Sequence, residues 1–220
     1  MSFIGIDRPT YPGTSCMRSL RRTTNVCWTG FQLAPAPGHG DTTWMPHLAD
    51  LLAMGWGVAP IFVGQQHPSI HGRSHVRTAE QGRQDALRAA ELAAQAGLPP
   101  GGTIYLRVEL PGALPRPDLT YVKAWCLTLR DTPYEPGVRC SATAVPQLDP
   151  ELPLWVIASV GAVEPTDWQR RANVTLTTGA TLWAVHVSSV PDPSRPQTVR
   201  LSDTRPARDT PPGRGIDSMA

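Results

Sequence analysis

The sequence lacks the features that would place it in a membrane. No apolar run approaches the roughly 20 residues that a transmembrane helix needs. The chain also has no basic segment followed by a long apolar stretch at its start, as a secretory signal would have. We therefore expect no membrane partner, and a protein that is made in the cytoplasm or exported by a route that reads no N-terminal signal.

The sequence also lacks an excess of charge of either sign. The 220 residues carry a formal net charge of +2, and no run of Lys or Arg exceeds a pair. Such a balance argues against a nucleic-acid partner. A Gly-x-Ser-x-Gly nucleophile elbow is absent too, so a serine hydrolase has little support.

Cysteine and histidine spacing gives little support for a metal. The four cysteines show no C-x-x-C spacing, which argues against a zinc ribbon. Three histidines, His67, His71 and His75, recur at helical spacing, but Pro68 and Gly72 interrupt any helix there. We expect buried thiols, a solvated histidine loop and no metal or cofactor. A metal enzyme that uses these histidines is the minor alternative.

The sequence does contain an alternation of strand-like and helix-like segments, which is typical of a parallel βα arrangement. Strands are predicted at residues 3–7, 26–33, 57–65, 103–109, 138–142, 154–159 and 181–187. Helices are predicted at residues 42–54, 77–97 and 118–130. The spacing predicts an α/β fold, a TIM-like (β/α) barrel that is partly degenerate because one strand or several helices are lacking.

The composition changes near residue 190, where Pro, Asp, Arg, Ser and Thr replace apolar residues. Such a segment buries too little apolar surface to offset its ordering entropy. We therefore predict a barrel domain over residues 1–190 and an irregular, Pro/Arg-rich extended tail over 191–220. The tail could dock a protein partner, and residues 198–201 could add to a sheet edge.

Two carboxylates end predicted strands. Asp7 ends the first strand, and Glu109 ends the fourth, with Arg107 on the same face because strand side chains alternate. Barrel enzymes keep their chemistry at the carboxyl ends of strands. Glycoside hydrolysis uses two carboxylates, one as general acid and the other as base or nucleophile. Glu109 and Asp7 are therefore the candidate catalytic pair.

Arg107 works against simple acid catalysis by Glu109. A general acid needs a raised pKa, whereas a guanidinium on the same face favours the ionised carboxylate. Paired with Arg107, Glu109 would be an anionic anchor for a ligand. The alternative is an ion pair that contacts no ligand.

Several segments together resemble the bacterial glycoside-hydrolase-like TIM-barrel domains that were once catalogued only as a domain of unknown function. They are residues 28–37 (Trp-Thr-Gly-Phe-Gln-Leu-Ala-Pro-Ala-Pro), 41–45 (Asp-Thr-Thr-Trp-Met), 55–66 (Gly-Trp-Gly-Val-Ala-Pro-Ile-Phe-Val-Gly-Gln-Gln), 82–86 (Gly-Arg-Gln-Asp-Ala), 104–109 (Ile-Tyr-Leu-Arg-Val-Glu) and 136–141 (Pro-Gly-Val-Arg-Cys-Ser). The resemblance implies a barrel distantly related to the family-25 lysozymes, which cleave peptidoglycan glycan chains with an Asp-x-Glu pair on the fourth strand.

The resemblance also implies a polysaccharide-like ligand and a cleft built around Asp7 and Glu109. The residues expected around the ligand are Gln32, Trp44, Gln65, Gln66, Arg107 and Arg139. This chain departs from the family pattern at polar positions of that cleft. Arg107 replaces the first acid of Asp-x-Glu, Gln32 replaces an aromatic residue, and Arg139 replaces a tyrosine.

The favoured hypothesis is a glycoside-hydrolase-like protein that acts on or binds a cell-wall-type, peptidoglycan-like polysaccharide, as a degenerate or repurposed version of the enzyme. The alternative is a non-catalytic binding or structural module that serves as a rigid platform in a larger assembly.

Overall fold

An eight-stranded β-sheet organises the fold. The computed structural model describes residues 2–23, 26–66, 77–108, 110, 112–141, 143–157, 181–187 and 201–203. The strands are β1 (Ser2–Asp7), β2 (Val26–Leu33), β3 (Gly57–Phe62), β4 (Thr103–Arg107), β5 (Glu135–Ser141), β6 (Leu154–Ile157), β7 (Thr181–Val187) and β8 (Leu201–Asp203). Hydrogen-bonded neighbours follow the order β6-β5-β4-β3-β2-β1-β7-β8. Strands β1 to β6 therefore lie in chain order, as in a β/α barrel.

The first six strands are parallel, and the last two reverse direction. Each of β1 to β5 pairs in parallel with the strand that follows it. Strand β7 is antiparallel to β1, and β8 is antiparallel to β7. The sheet curls so that its two edge strands, β6 and β8, approach each other. The fold is thus an α/β, TIM-like half-barrel of six parallel strands, which confirms the predicted class.

Strand β8 falls in the segment predicted as a tail. Its three residues, Leu201–Asp203, extend the sheet beyond β7. The remainder of the predicted tail, 191–200 and 204–220, lies outside the described residues.

The α-helices in the described part of the chain are α1 (Thr14–Thr23), α2 (Leu48–Ala53), α3 (Ala79–Ala96) and α4 (Arg116–Arg130). Helix α3 begins where the Thr78 hydroxyl accepts a hydrogen bond from the Gln81 backbone N–H at 3.1 Å. It ends at Gly97, which adopts the left-handed conformation with φ 83°. No helix among these residues is long and apolar enough to cross a membrane.

The predicted helices at 77–97 and 118–130 are confirmed, whereas two other regions differ from the prediction. The helix predicted at 42–54 begins only at Leu48, because Pro46 has no N–H to donate and lies in the 3-10 turn Met45–His47. Helix α1 is absent from the prediction, because Met17 is its one buried residue and its apolar pattern is correspondingly weak.

The sheet has two apolar faces. Its outer face packs against the helices in the main hydrophobic core, to which β4 contributes Ile104 and Leu106. Its inner face encloses a second cluster, which consists of Trp28, Ala59, Ile61, Val63, Tyr105 and Trp155. Alternation along β4 places Arg107 on the same face as Tyr105. Arg107 therefore belongs to the inner surface.

Aromatic rings form a layer on the inner side of the curl. The Trp28 ring meets Trp155 edge to face, with ring centroids 5.4 Å apart, and Tyr105 meets Trp155 in the same way at 5.9 Å. A side chain at Gly5 would overlap the Trp28 ring, and one at Gly137 would come within 2.7 Å of the Tyr105 ring. Glycine at these two positions makes room for the rings.

We expect Gly5→Ala to lower the free energy of unfolding by about 1–3 kcal/mol, the usual effect of overpacking, because the new methyl group would collide with the rigid Trp28 ring. Gly40→Ala is the matched control, since a side chain at Gly40 would meet nothing within 4 Å. The control should change stability by less than about 0.5 kcal/mol. Urea denaturation measures both variants, and equal stabilities would contradict the packing role of Gly5.

The four cysteines should differ in reactivity. Burial raises the pKa of the Cys126 and Cys140 thiols to about 12, whereas Cys16 and Cys27 are only half-buried. Since the thiolate is the reactive form, iodoacetamide at about pH 8 should label Cys16 or Cys27 in the native protein. Cys126 and Cys140 should react only after unfolding. Peptide mass spectrometry tests this order, and early labelling of Cys140 would refute it.

Candidate functional site

Polar side chains lie where the parallel strands end. Asp7 is the last residue of β1, Gln32 is near the end of β2, and Arg107 and Arg139 are register partners on β4 and β5. The carboxyl ends of parallel strands meet at one edge of the sheet. Four of the residues predicted for the site are therefore brought to the same edge of the curl.

Asp7, Gln32 and Arg139 are in direct contact. Arg139 Nη2 donates to Asp7 Oδ2 at 3.0 Å, and Gln32 Nε2 donates to Asp7 Oδ1 at 3.2 Å. The three residues are 7%, 0% and 5% exposed in chain order, so the charges of Asp7 and Arg139 compensate each other away from water. Both carboxylate oxygens of Asp7 are thus engaged by neighbouring side chains.

The ion pair rests on the aromatic layer. The Arg139 guanidinium lies over the Trp155 ring, 5.0 Å from its centroid, in a cation–π contact. Gln32 Nε2 also donates a hydrogen bond to the Arg8 carbonyl oxygen at 3.4 Å. The Gln32 Oε1 atom is buried and has no hydrogen-bond partner among the described residues. A buried acceptor in this state costs about 1–3 kcal/mol.

His39 is a neighbour that the sequence reasoning missed. It lies in the loop after β2, where the backbone N–H groups of Ala36 and His39 donate to each other's carbonyl oxygens at 2.8 and 3.0 Å. Burial lowers the pKa of His39, the Asp41 carboxylate opposes this shift, and the Arg107 guanidinium adds to it. His39 is therefore a largely neutral group close to Arg107. The position of this histidine between two glycines, Gly38 and Gly40, was the sequence signal that could have indicated a loop residue of the site.

Trp44 supports the site from behind. Its ring is fully buried, and its indole N–H donates to the Arg8 carbonyl oxygen at 3.1 Å, directly after β1. Edge-to-face contacts join it to Tyr11 at 5.0 Å and to Phe31 at 6.2 Å between centroids. This position favours a core role that holds the backbone beside Asp7 over a role as a sugar-stacking surface.

Gln65 and Gln66 follow β3 but do not join the Asp7 cluster. Gln65 Nε2 donates to Asp85 Oδ2 at 3.3 Å. The Gln66 side chain is buried and donates to the Gly64 carbonyl oxygen at 3.0 Å. In the sequence, Asp85 is part of the Gly-Arg-Gln-Asp-Ala motif that carries the family resemblance, and no role was predicted for it.

The remaining predicted groups lie outside the described residues. Glu109 is one of them, so its distance from Asp7 and its relation to Arg107 remain predictions. The three histidines His67, His71 and His75 are also outside. Within the described ranges, no group of three or more His, Cys, Asp or Glu side chains could hold a metal ion.

Comparison with known proteins identifies the family. A model of the Rv2525c-like, glycoside hydrolase-like domain family matches residues 41–203. The chain belongs to this family. Membership confirms the resemblance that the sequence motifs indicated and makes the protein a glycoside hydrolase-like domain. No similar sequence is found among the curated proteins.

Solved structures of similar fold include distant relatives. An uncharacterized protein of B. stearothermophilus is 20% identical, with a TM-score of 0.50 over 64% of this chain and 62% of its own. Rv2525c of Mycobacterium tuberculosis, in complex with HEPES, is 14% identical, with a TM-score of 0.48 over 66% and 71%. The modular autolysin LytC of Streptococcus pneumoniae, in complex with a synthetic peptidoglycan ligand, is 12% identical, with a TM-score of 0.47 over 64% and 32%. The chain spans less than two thirds of the Bacillus protein and about a third of the autolysin.

The buried ion pair of this family member predicts a non-additive effect of mutation. Asp7→Asn should destabilise the fold by about 3–5 kcal/mol, because Arg139 would lose the buried carboxylate that it contacts. Adding Arg139→Gln to Asp7→Asn should restore at least about 1 kcal/mol, because both charges of the buried pair are then removed. Urea denaturation of wild type, both single variants and the double variant completes the cycle. Strictly additive effects would show that the two charges do not interact.

Proposed function

We propose that the domain binds a cell-wall-type polysaccharide at the carboxyl edge of its curled sheet and does not hydrolyse it. The glycoside hydrolase-like family suggests the ligand class. The resemblance of the sequence motifs to a family distantly related to the family-25 lysozymes makes peptidoglycan the first glycan to test. The observation that carries the proposal is the buried ion pair between Asp7 and Arg139.

Hydrolysis by two carboxylates needs one group to protonate the leaving oxygen and another to attack the sugar or activate water. Asp7 is poorly placed for either step, because Gln32 engages Oδ1 and Arg139 engages Oδ2. Releasing an oxygen would break a buried charge-assisted hydrogen bond. Arg107 stands where the family motif has an acid, which leaves Glu109 as the motif's one remaining carboxylate.

Binding makes fewer demands on the same residues. Guanidinium and amide groups offer several donors and acceptors to sugar hydroxyls and carboxylates. Arg107 is half-buried at the end of β4 and so keeps part of its surface at this edge. In this proposal Glu109 is an anchor for hydroxyl groups, and Arg107 its neighbour in the same role.

The alternative is a rigid platform in a larger assembly, to which the tail at 191–220 would attach a protein partner. A platform and a glycan-binding domain both lack hydrolysis, so binding to the glycan distinguishes them.

We expect no release of reducing ends from purified peptidoglycan by the wild-type protein, and none by Glu109→Gln. The physical reason is that a hydrolase of this type needs a second free carboxylate, which Asp7 does not provide. A reducing-sugar assay with a muramidase as positive control measures the release. Release of reducing ends by the wild type would overturn the non-hydrolytic part of the proposal, and its loss in Glu109→Gln would identify Glu109 as the residue responsible.

Wild-type protein should sediment with insoluble peptidoglycan. Arg107→Gln should weaken this binding about two- to tenfold, the effect of one or two lost polar contacts. Arg83→Gln is the matched control, because Arg83 is exposed on α3 and pairs only with Glu80 on the same helix among the contacts described. Sedimentation isotherms give the dissociation constants. Absence of binding by the wild type would reject the glycan-binding proposal in favour of the platform.

A further inference from the structure

A buried polar network lies behind the site, between α3, α4 and the end of β3. The Asp85 carboxylate accepts hydrogen bonds from the Tyr121 hydroxyl at 2.5 Å, from Gln81 Nε2 at 3.0 Å and from Gln65 Nε2 at 3.3 Å. Asp85 and Tyr121 are both buried. Burial and the adjacent Asp85 carboxylate hold the pKa of Tyr121 well above its ordinary value, so its hydroxyl remains a donor.

The network holds the backbone that follows β3. The Tyr121 hydroxyl, which donates to Asp85, also accepts from the Gln65 backbone N–H at 3.2 Å. A side chain at Gly64 would collide with that hydroxyl. Glycine at position 64 therefore lets the Tyr121 hydroxyl reach the backbone, and side chain and backbone of Gln65 are fixed to the same carboxylate.

This stretch of backbone supports the loop that carries His39. The Gly38 N–H donates to the Val63 carbonyl oxygen at 2.9 Å. A side chain at Gly38 would lie within 2.7 to 2.9 Å of Val63, Gln66 and the Gly64 carbonyl oxygen, so the two segments pack without a gap. His39 follows directly and lies close enough to Arg107 for the guanidinium to affect its protonation. Contacts thus run from Asp85 to the loop that carries His39.

Packing of α3 against α4 does not by itself require such a polar network. A buried carboxylate needs several donors to offset its desolvation, and apolar side chains would pack α3 against α4 with fewer demands. Here the donors come from α3, α4 and the end of β3, and they converge on the Asp85 carboxylate. Fully satisfied networks of this kind specify one local arrangement.

We propose that Asp85 and Tyr121 are positioning residues, which set the wall of the ligand site by fixing Gly64 and Gln65 and, through Gly38, the loop that carries His39. The ligand in this inference is the polysaccharide of the proposed function. The placement of the wall is independent of that function and can be measured without ligand.

The test uses two tyrosine-to-phenylalanine variants of the whole chain. Tyr121→Phe removes the hydroxyl that joins Asp85 to Gln65. Tyr134→Phe is the matched control. Tyr134 lies just before β5, is also buried, and donates its hydroxyl hydrogen to the Leu98 carbonyl oxygen at 3.1 Å, outside the network. Nuclear magnetic resonance titration of the imidazole protons, with His39→Gln to assign the signal, reports the pKa of His39.

Tyr121→Phe should raise the pKa of His39 towards its ordinary value, because a loosened loop admits water, whereas Tyr134→Phe should leave it unchanged. Peptidoglycan binding should weaken about two- to tenfold in Tyr121→Phe alone, the range of one lost hydrogen bond. Asp85→Asn should act in the same direction and replaces Tyr121→Phe if that variant does not fold.

An unchanged His39 titration in both Tyr121→Phe and Asp85→Asn would overturn the positioning role, whatever their stability. An equal shift in Tyr134→Phe would also overturn it, because the effect would then be general loosening. A shift confined to the network variants supports positioning even where wild-type protein fails to bind peptidoglycan. In that case the proposed function fails and the positioning role stands.

Discussion

The ion pair between Asp7 and Arg139 joins two strands that are four steps apart in the sheet. Neighbouring strands are about 4.8 Å apart, so β1 and β5 of a flat sheet would be separated by about 19 Å, beyond the reach of two side chains. The 3.0 Å contact exists because the sheet curls. Trp28 and Trp155, on β2 and β6, meet through the same curvature. The ion pair and the aromatic layer therefore both depend on the curvature of the sheet, and together they constrain it.

This constraint also decides the chemistry of the carboxyl edge. In a hydrolase the carboxylates of the cleft must remain available to substrate. Here the guanidinium of Arg139 lies between the Trp155 ring and Asp7, and the amide of Gln32 occupies the second oxygen of the carboxylate. Three side chains that come from different strands thereby hold Asp7 in the framework of the fold. In the proposed function, the remaining polar surface of this edge recognises the glycan.

Local patterns predicted most of the fold, and less of the site. Helix α3 could be predicted because a cap at Thr78 and a stop at Gly97 frame its apolar repeat, whereas Pro46 shortened the next helix upstream. Asp7 was selected because it ends a predicted strand, and Arg139 was selected through the family resemblance. Their contact was not predicted, because the two residues are 132 positions apart and no local pattern records it. Arg107 was paired with its neighbour Glu109 instead, since proximity along the strand was the available cue.

The burial of both charges restricts how this protein can change over generations. A substitution at Asp7 or Arg139 alone removes the buried partner of the other charge, and such a change is strongly destabilising. The two positions must therefore mutate together or in close succession. A lineage that carries this pair is therefore held to it by a fitness barrier, because each single substitution that leads away from the pair lowers stability.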